Sequence, residues 1–170
     1  MTDPQHAPGN PEPVDYIEVT RSTYDAMGYP TYGWVHNEDP PALVPLTKPL
    51  SACKVALIAS GGVYRTGQIA FHYRDDLSYR IIPADTADQD LRATHFAYDV
   101  RDARQDIGVV FPLRALRQLA SEGVIGGVCG EAYTFMGGIY SARRVREELA
   151  PALLERVREQ GADVALLVPV

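Results

Sequence analysis

Three groups of residues in this chain have types and spacings that could do chemistry. The first is Ser60-Gly61-Gly62-Val63, directly behind the apolar run Val55-Ala56-Leu57-Ile58-Ala59. An apolar run of that length reads as a buried strand, and small residues after it allow a tight turn and a close backbone approach to an anion or cofactor. The spacing is not that of a G-x-G-x-x-G fingerprint, and a plain turn fits the same residues. The second group is His95 with Asp99, within Ala93-Thr94-His95-Phe96-Ala97-Tyr98-Asp99-Val100. Alternation predicts a strand there, with His95, Ala97 and Asp99 on one face and Phe96, Tyr98 and Val100 on the other. A carboxylate beside an imidazole would fix its tautomer and make a proton-handling pair; a solvated edge would show the same alternation. The third group is the two cysteines, Cys53 and Cys129. They are far apart and have neither CxxC nor metal-ligand spacing, so reduced, structural thiols are expected. No second histidine or cysteine stands near His95, which argues against a metal site.

The elements that must position these groups follow in order. Residues 1–14 are polar and proline-rich and read as a disordered leader. Residues 15–50 read as an N-terminal strap: a helix from Tyr16 ending near Gly28, the aromatics Tyr32 and Trp34 with Val35, and a connector with Pro40, Pro41, Pro45 and Pro49. Residues 51–170 form the core. After the strand at Val55–Ala59, Ser78–Pro83 predicts a second strand, with Asp85 or Thr86 capping a short turn behind it. Pro112 sits at the first turn of a helix whose Leu113, Leu116, Leu119 and Ala120 make one apolar stripe, and Gly123 ends it. A loop through Cys129 and Gly130 leads to Phe135 and Met136, which read as core, and to the paired Gly137-Gly138, which suggest a close backbone approach. Ser141 caps a charged helix that Pro151 interrupts or restarts, with Leu153, Leu154 and Val157 inward. Gly161–Val170 then reads as a buried parallel strand. This order predicts an α/β fold with three layers, a largely parallel sheet and flanking helices, incomplete at its carboxyl end. In open α/β sheets the loop past a strand's carboxyl end is where ligands and catalytic groups sit. The sequence stops at that point, so a continuation carrying the functional group is expected.

Charge and hydropathy narrow the function classes. At 170 residues the chain can bury one core, and its net charge of −6 argues against nucleic acid or an anionic membrane as partner. No run is long and apolar enough to span a bilayer, and no signal-peptide pattern opens the chain, so the cytoplasm is expected.

The order and spacing of several segments resemble the selenoprotein B family of the glycine/sarcosine/betaine/D-proline reductases. The segments are Val55–Val63, Gly67-Gln68, Ser78–Pro83, Asp90–Phe96 with Asp99, Val109–Leu113, Glu122–Gly126, Phe135–Gly137 and Ala162–Val170. The resemblance covers about Asp15 to the end. It implies a selenocysteine or cysteine directly after Val170, with a second cysteine soon after, and hence a UGA codon read as a stop. It implies reductive C–N cleavage of a small amino-acid-like substrate, with a pyruvoyl group on a partner reductase subunit and electrons from a thioredoxin-like or dithiol donor. It gives Ser60, Gly61, Gly62 and Tyr98 as substrate-facing, His95 and Asp99 as catalytic, Arg101 as a further candidate, and Pro169 and Val170 as setting the nucleophile's geometry. The 170-residue form would then lack its nucleophile and leave an open, aggregation-prone edge. The competing expectation is a non-catalytic α/β module that binds a ligand or partner through Ser60–Gly62, with a genuine end at Val170. A nucleotide-binding enzyme is disfavoured by the missing phosphate fingerprint.

Overall fold

The computed structural model describes residues 15–30, 36–41 and 43–170. The expected leader at 1–14 and the aromatics Tyr32 and Trp34 with Val35 lie outside them. The chain divides into two units, Met1–Pro41 and Ala42–Val170. In the first, helix α1 spans Tyr16–Ala26, as its sequence predicts. The Asp15 carboxylate accepts the Glu18 N–H at 3.0 Å and caps it. Gly28, at φ +73°, turns the chain out of the helix.

In the second unit the chain runs through β1 (Lys54–Ala59), β2 (Val63–Arg65), β3 (Tyr79–Pro83) and β4 (Leu91–Ala93). Helices α2 (Arg101–Gln105) and α3 (Leu113–Ser121) follow, then β5 (Gly127–Val128) and β6 (Glu131–Phe135). Helix α4 (Ala142–Arg144), a π-helical turn (Val145–Leu149), α5 (Ala150–Glu159) and β7 (Val164–Val168) complete it. β1 is the central strand of a five-stranded sheet. β7 pairs with it in parallel from Val55 to Ala59. On its other edge β5 pairs at the start and β6 at the end, both parallel. β3 closes that side antiparallel to β6. β2 and β4 form a separate antiparallel ribbon. The sheet is thus mixed but largely parallel, with helices on both faces.

The period of two along β1 explains the layering. Val55, Leu57 and Ala59 join a core with Ile107, Phe111, Leu113 and Leu116 on the α2–α3 face. Ala56 joins Tyr133, Leu149, Leu153 and Val157 on the α5 face. Pro112 and Gly123 bracket α3 as predicted, and Leu113 and Leu116 are its buried side chains.

Several expectations fail locally. The strand expected over 93–100 ends at Ala93, and the segment behind it is irregular. The presumed loop around Cys129 instead contains β5 and begins β6. Pro151 restarts its helix, one of the two outcomes its sequence allows. Lacking an N–H, it sits in the first turn of α5, and the turn before it widens to π geometry, with Ala150 N–H bonding Val145 O. Neither Asp85 nor Thr86 caps the short 3-10 turn at Asp88–Asp90. β7 is parallel but not buried: it flanks only β1, Ala165 and Leu166 are exposed, and Leu167 is 66% exposed. An apolar groove of about 320 Å³ runs between β7 and α5, lined by Ile58, Leu153, Leu154, Ala165 and Leu167 among others.

Candidate functional site

The Ser60-Gly61-Gly62 loop leaves the carboxyl end of β1 and is bonded on every side. Ser60 N–H donates to Val168 O at 3.1 Å, and Ser60 O accepts the Gly137 N–H at 3.0 Å. The Ser60 hydroxyl accepts the Val170 N–H at 3.0 Å. Gly62 N–H donates to Phe135 O, and Gly62 O accepts the Thr94 N–H, both at 3.1 Å. The next amide, Val63 N–H, donates to the fully buried Thr134 hydroxyl. The backbone N–H groups of Ser60, Gly62 and Val63 are therefore bonded within the protein, and these bonds make the loop a rigid rim. Glycine is required at position 62. At φ +64°, a Cβ there would lie 2.1 Å from the Thr94 carbonyl oxygen. Gly137 and Gly138 do make the close approach their pairing suggests: Gly137 lies against Ser60 and Gly138 under the Phe96 ring.

His95 stands beside this rim, its Cδ2 3.5 Å from where a Gly62 Cβ would be. Its ring stacks on Phe96, and the Tyr98 ring centroid is 4.7 Å away. Tyr98 donates its hydroxyl to Gly61 O at 2.9 Å and so holds the aromatic cluster on the loop. His95 Nδ1 accepts the Ala97 N–H at 3.0 Å. A nitrogen that accepts carries no proton, so the neutral imidazole has its hydrogen on Nε2. Nε2 is buried and has no hydrogen-bond partner among the described residues. Burial also holds the His95 pKa below its ordinary value of 6.5, so the neutral form dominates near pH 7. His95 thus offers a buried, unanswered N–H donor, suited to an anion or a carbonyl oxygen.

Asp99 does not face His95. It is exposed, and its carboxylate accepts from Arg101 Nε at 2.7 Å and from the Arg101 N–H at 3.0 Å. Those bonds to Arg101 hold its carboxyl below the usual carboxylate range and fix the start of α2. The partner that the structure brings to His95 is Tyr98, whose phenol is pushed up by burial. Val170 lies beside Gly61; with Ser60, Gly62, His95 and Tyr98, these residues share one end of the sheet. Both cysteines are buried and unpaired. Thr134, which supports the loop from beneath, was hidden in sequence because a threonine within a strand is ordinary. Among the described residues no group of three or more His, Cys, Asp or Glu side chains could hold a metal ion. No helix among them is long and apolar enough to cross a membrane.

Residues 32–169 match the family described as Glycine/sarcosine/betaine reductase selenoprotein B (GRDB). The chain belongs to this family. It is also similar to the D-proline reductase subunit gamma of Acetoanaerobium sticklandii, 35% identical over 128 residues, covering 75% of this chain and 53% of that protein. The family member described here therefore spans about half the length of the curated relative it matches. No solved structure matches it. As a selenoprotein B family chain it is akin to a reductase subunit.

Proposed function

We propose that this chain is the scaffold part of a selenol- or thiol-dependent reductase subunit, with the nucleophile carried directly past Val170. One observation carries this reading: the Ser60 hydroxyl seats the Val170 N–H at 3.0 Å, which holds the end of β7 on the rim that His95 flanks. A residue after Val170 would emerge at the carboxyl end of a parallel sheet, where α/β proteins place their chemistry. The relative's greater length leaves room for such a residue.

The chalcogen acts as its anion, and a selenol is largely ionised at neutral pH. His95 Nε2–H is the donor available to stabilise that anion or an oxygen of the substrate. In the reaction implied by the family, the selenolate forms a bond to carbon as the C–N bond breaks and the amine leaves with a proton. A neighbouring thiolate then takes the selenium as a selenide–sulfide, and the released carbon accepts a proton. A thioredoxin-like or other dithiol donor returns the pair to the reduced state. The pyruvoyl group of that chemistry would be supplied by the partner subunit. In this chain Ser60, Gly61, Gly62 and Tyr98 shape the rim, His95 donates the hydrogen bond, and Asp99 positions α2. A cytoplasmic location suits a reduced chalcogen.

Reading the transcript past the Val170 codon tests this. The expected result is a UGA or cysteine codon, then an open frame with a further cysteine close behind. Any other codon there overturns the proposal. One observation favours instead a ligand-binding role without catalysis: a cleft of about 760 Å³ is lined by residues of the β2–β4 ribbon and of α2.

A further inference from the structure

A cleft of about 760 Å³ opens behind the β2–β4 ribbon, and nothing in the proposed chemistry uses it. Its size is that of a small-molecule site. The buried Leu91, Ala93, Ala103 and Ile107 contribute an apolar floor. Three guanidinium groups, from Arg92, Arg104 and Arg114, line it together with the carboxylates of Asp88 and Asp106. Arg114 answers both carboxylates, with Nε 3.2 Å from Asp88 and Nη2 3.2 Å from Asp106. Arg92 donates through Nη1, to Gln89 O and Leu91 O at 2.7 Å each, so its Nε and Nη2 remain available. The Arg104 side chain makes no hydrogen bond or ion pair among the described residues; the groups it feels are Tyr98 and Asp99, at a distance. Thr94 Oγ1 donates to the Tyr64 hydroxyl at 3.4 Å, which leaves the Tyr64 proton free to point at a ligand.

We propose that this cleft binds a small monocarboxylate with a short aliphatic body. The carboxylate lies against Arg104 and the free edge of Arg92, with Tyr64 as a neutral donor, and the body rests on the apolar floor. A planar carboxylate matches the guanidinium fork. A phosphate dianion fits less well, because Asp88 and Asp106 line the same cleft. Bound ligand would also reach the rim: Thr94, which lines the cleft, bonds Gly62 and immediately precedes His95. The proposal does not depend on the reductase chemistry and is tested without it.

The test is an NMR titration of the ¹⁵N-labelled chain with propionate, its neutral isostere propionamide, and inorganic phosphate. Propionate should give saturable shifts at Thr94, Ala103 and the Arg104 side chain. Propionamide and phosphate should bind at least tenfold more weakly. Arg104→Gln should weaken propionate at least tenfold, and so should Arg92→Gln, while Arg21→Gln in α1 changes nothing. Equal binding of propionamide, tighter binding of phosphate, or unchanged affinity in Arg104→Gln with its spectrum otherwise intact would overturn the proposal. Two kinds of molecule bring this chemistry, the reductase's own substrate and an effector. Displacement of propionate by glycine, sarcosine or betaine marks the substrate, and failure to displace it marks an effector. In either case the cleft is a carboxylate site.

Discussion

Gly62→Ala is the sharpest perturbation of the rim. Two costs add. The backbone at φ +64° is left-handed, which costs an L-residue about 1–2 kcal/mol. The new Cβ would then lie 2.1 Å from the Thr94 carbonyl oxygen, a backbone atom that cannot swing aside. Relieving that contact means breaking the Thr94 N–H to Gly62 O bond or shifting the end of β4, for a further 1–3 kcal/mol or so. The sum is about 2–5 kcal/mol, which for a domain of this size is a fall in Tm of roughly 4–20 °C. Gly67→Ala is the matched control: its φ is +94°, but a Cβ there meets nothing within 4 Å. It carries the backbone cost alone, about 1–2 kcal/mol. Urea unfolding of the chain and both variants, at unchanged m-value, measures the difference. Equal losses in the two variants would show that the Thr94 contact does not constrain position 62, and the rigid rim would fall with it.

Three other outcomes are expected. His95 should appear in long-range ¹H–¹⁵N spectra at pH 7 as the neutral Nε2–H tautomer; a protonated ring or an Nδ1–H form contradicts the assignment. Because its folded pKa lies below 6.5, the unfolded chain takes up the proton first as pH falls, so stability should decrease as pH drops below about 6.5, and His95→Gln should remove that part of the slope. Tyr133 is fully buried, donates to Glu131 at 3.1 Å and accepts from Gln160 at 2.6 Å. Tyr133→Phe should cost about 1–2 kcal/mol in urea unfolding, and an unchanged midpoint would show that this network contributes nothing. The open β7 edge should make the isolated chain self-associate. Leu167→Lys, which places a charge on that edge, should shift light-scattering mass toward the monomer, and identical masses would count against edge pairing.

Elements with one strong, unbroken signal were legible. Val55–Ala59 is the central strand, and the stripe of Leu113, Leu116, Leu119 and Ala120 with Pro112 and Gly123 gave α3 almost to the residue. β6 was not, because Gly130 and the glycines after Met136 outweigh a short strand that gets its order from its two neighbours, β1 and β3. At 93–100 the alternation was real but local bonds defeated it. His95 and Asp99 each accept a backbone N–H two residues on, and such bonds draw the chain out of extended geometry. The pairing of His95 with Tyr98 instead of Asp99 follows from that turn. β7 shows the limit of hydropathy: Val164–Val168 reads as interior, yet an apolar run says only that a surface wants cover, not that it has any.

Ser60 holds two other segments through three different atoms: its N–H and hydroxyl hold Val168 and Val170 at the end of β7, and its carbonyl holds Gly137 behind β6. Mechanically it is a rivet. A load applied to the chain at Val170, by a docking subunit or by a disulfide closing nearby, meets no slack joint before it reaches Gly61 and the tyrosine anchored on it. The NMR resonances of the Tyr98 ring would then report what happens at Val170 without any label placed there.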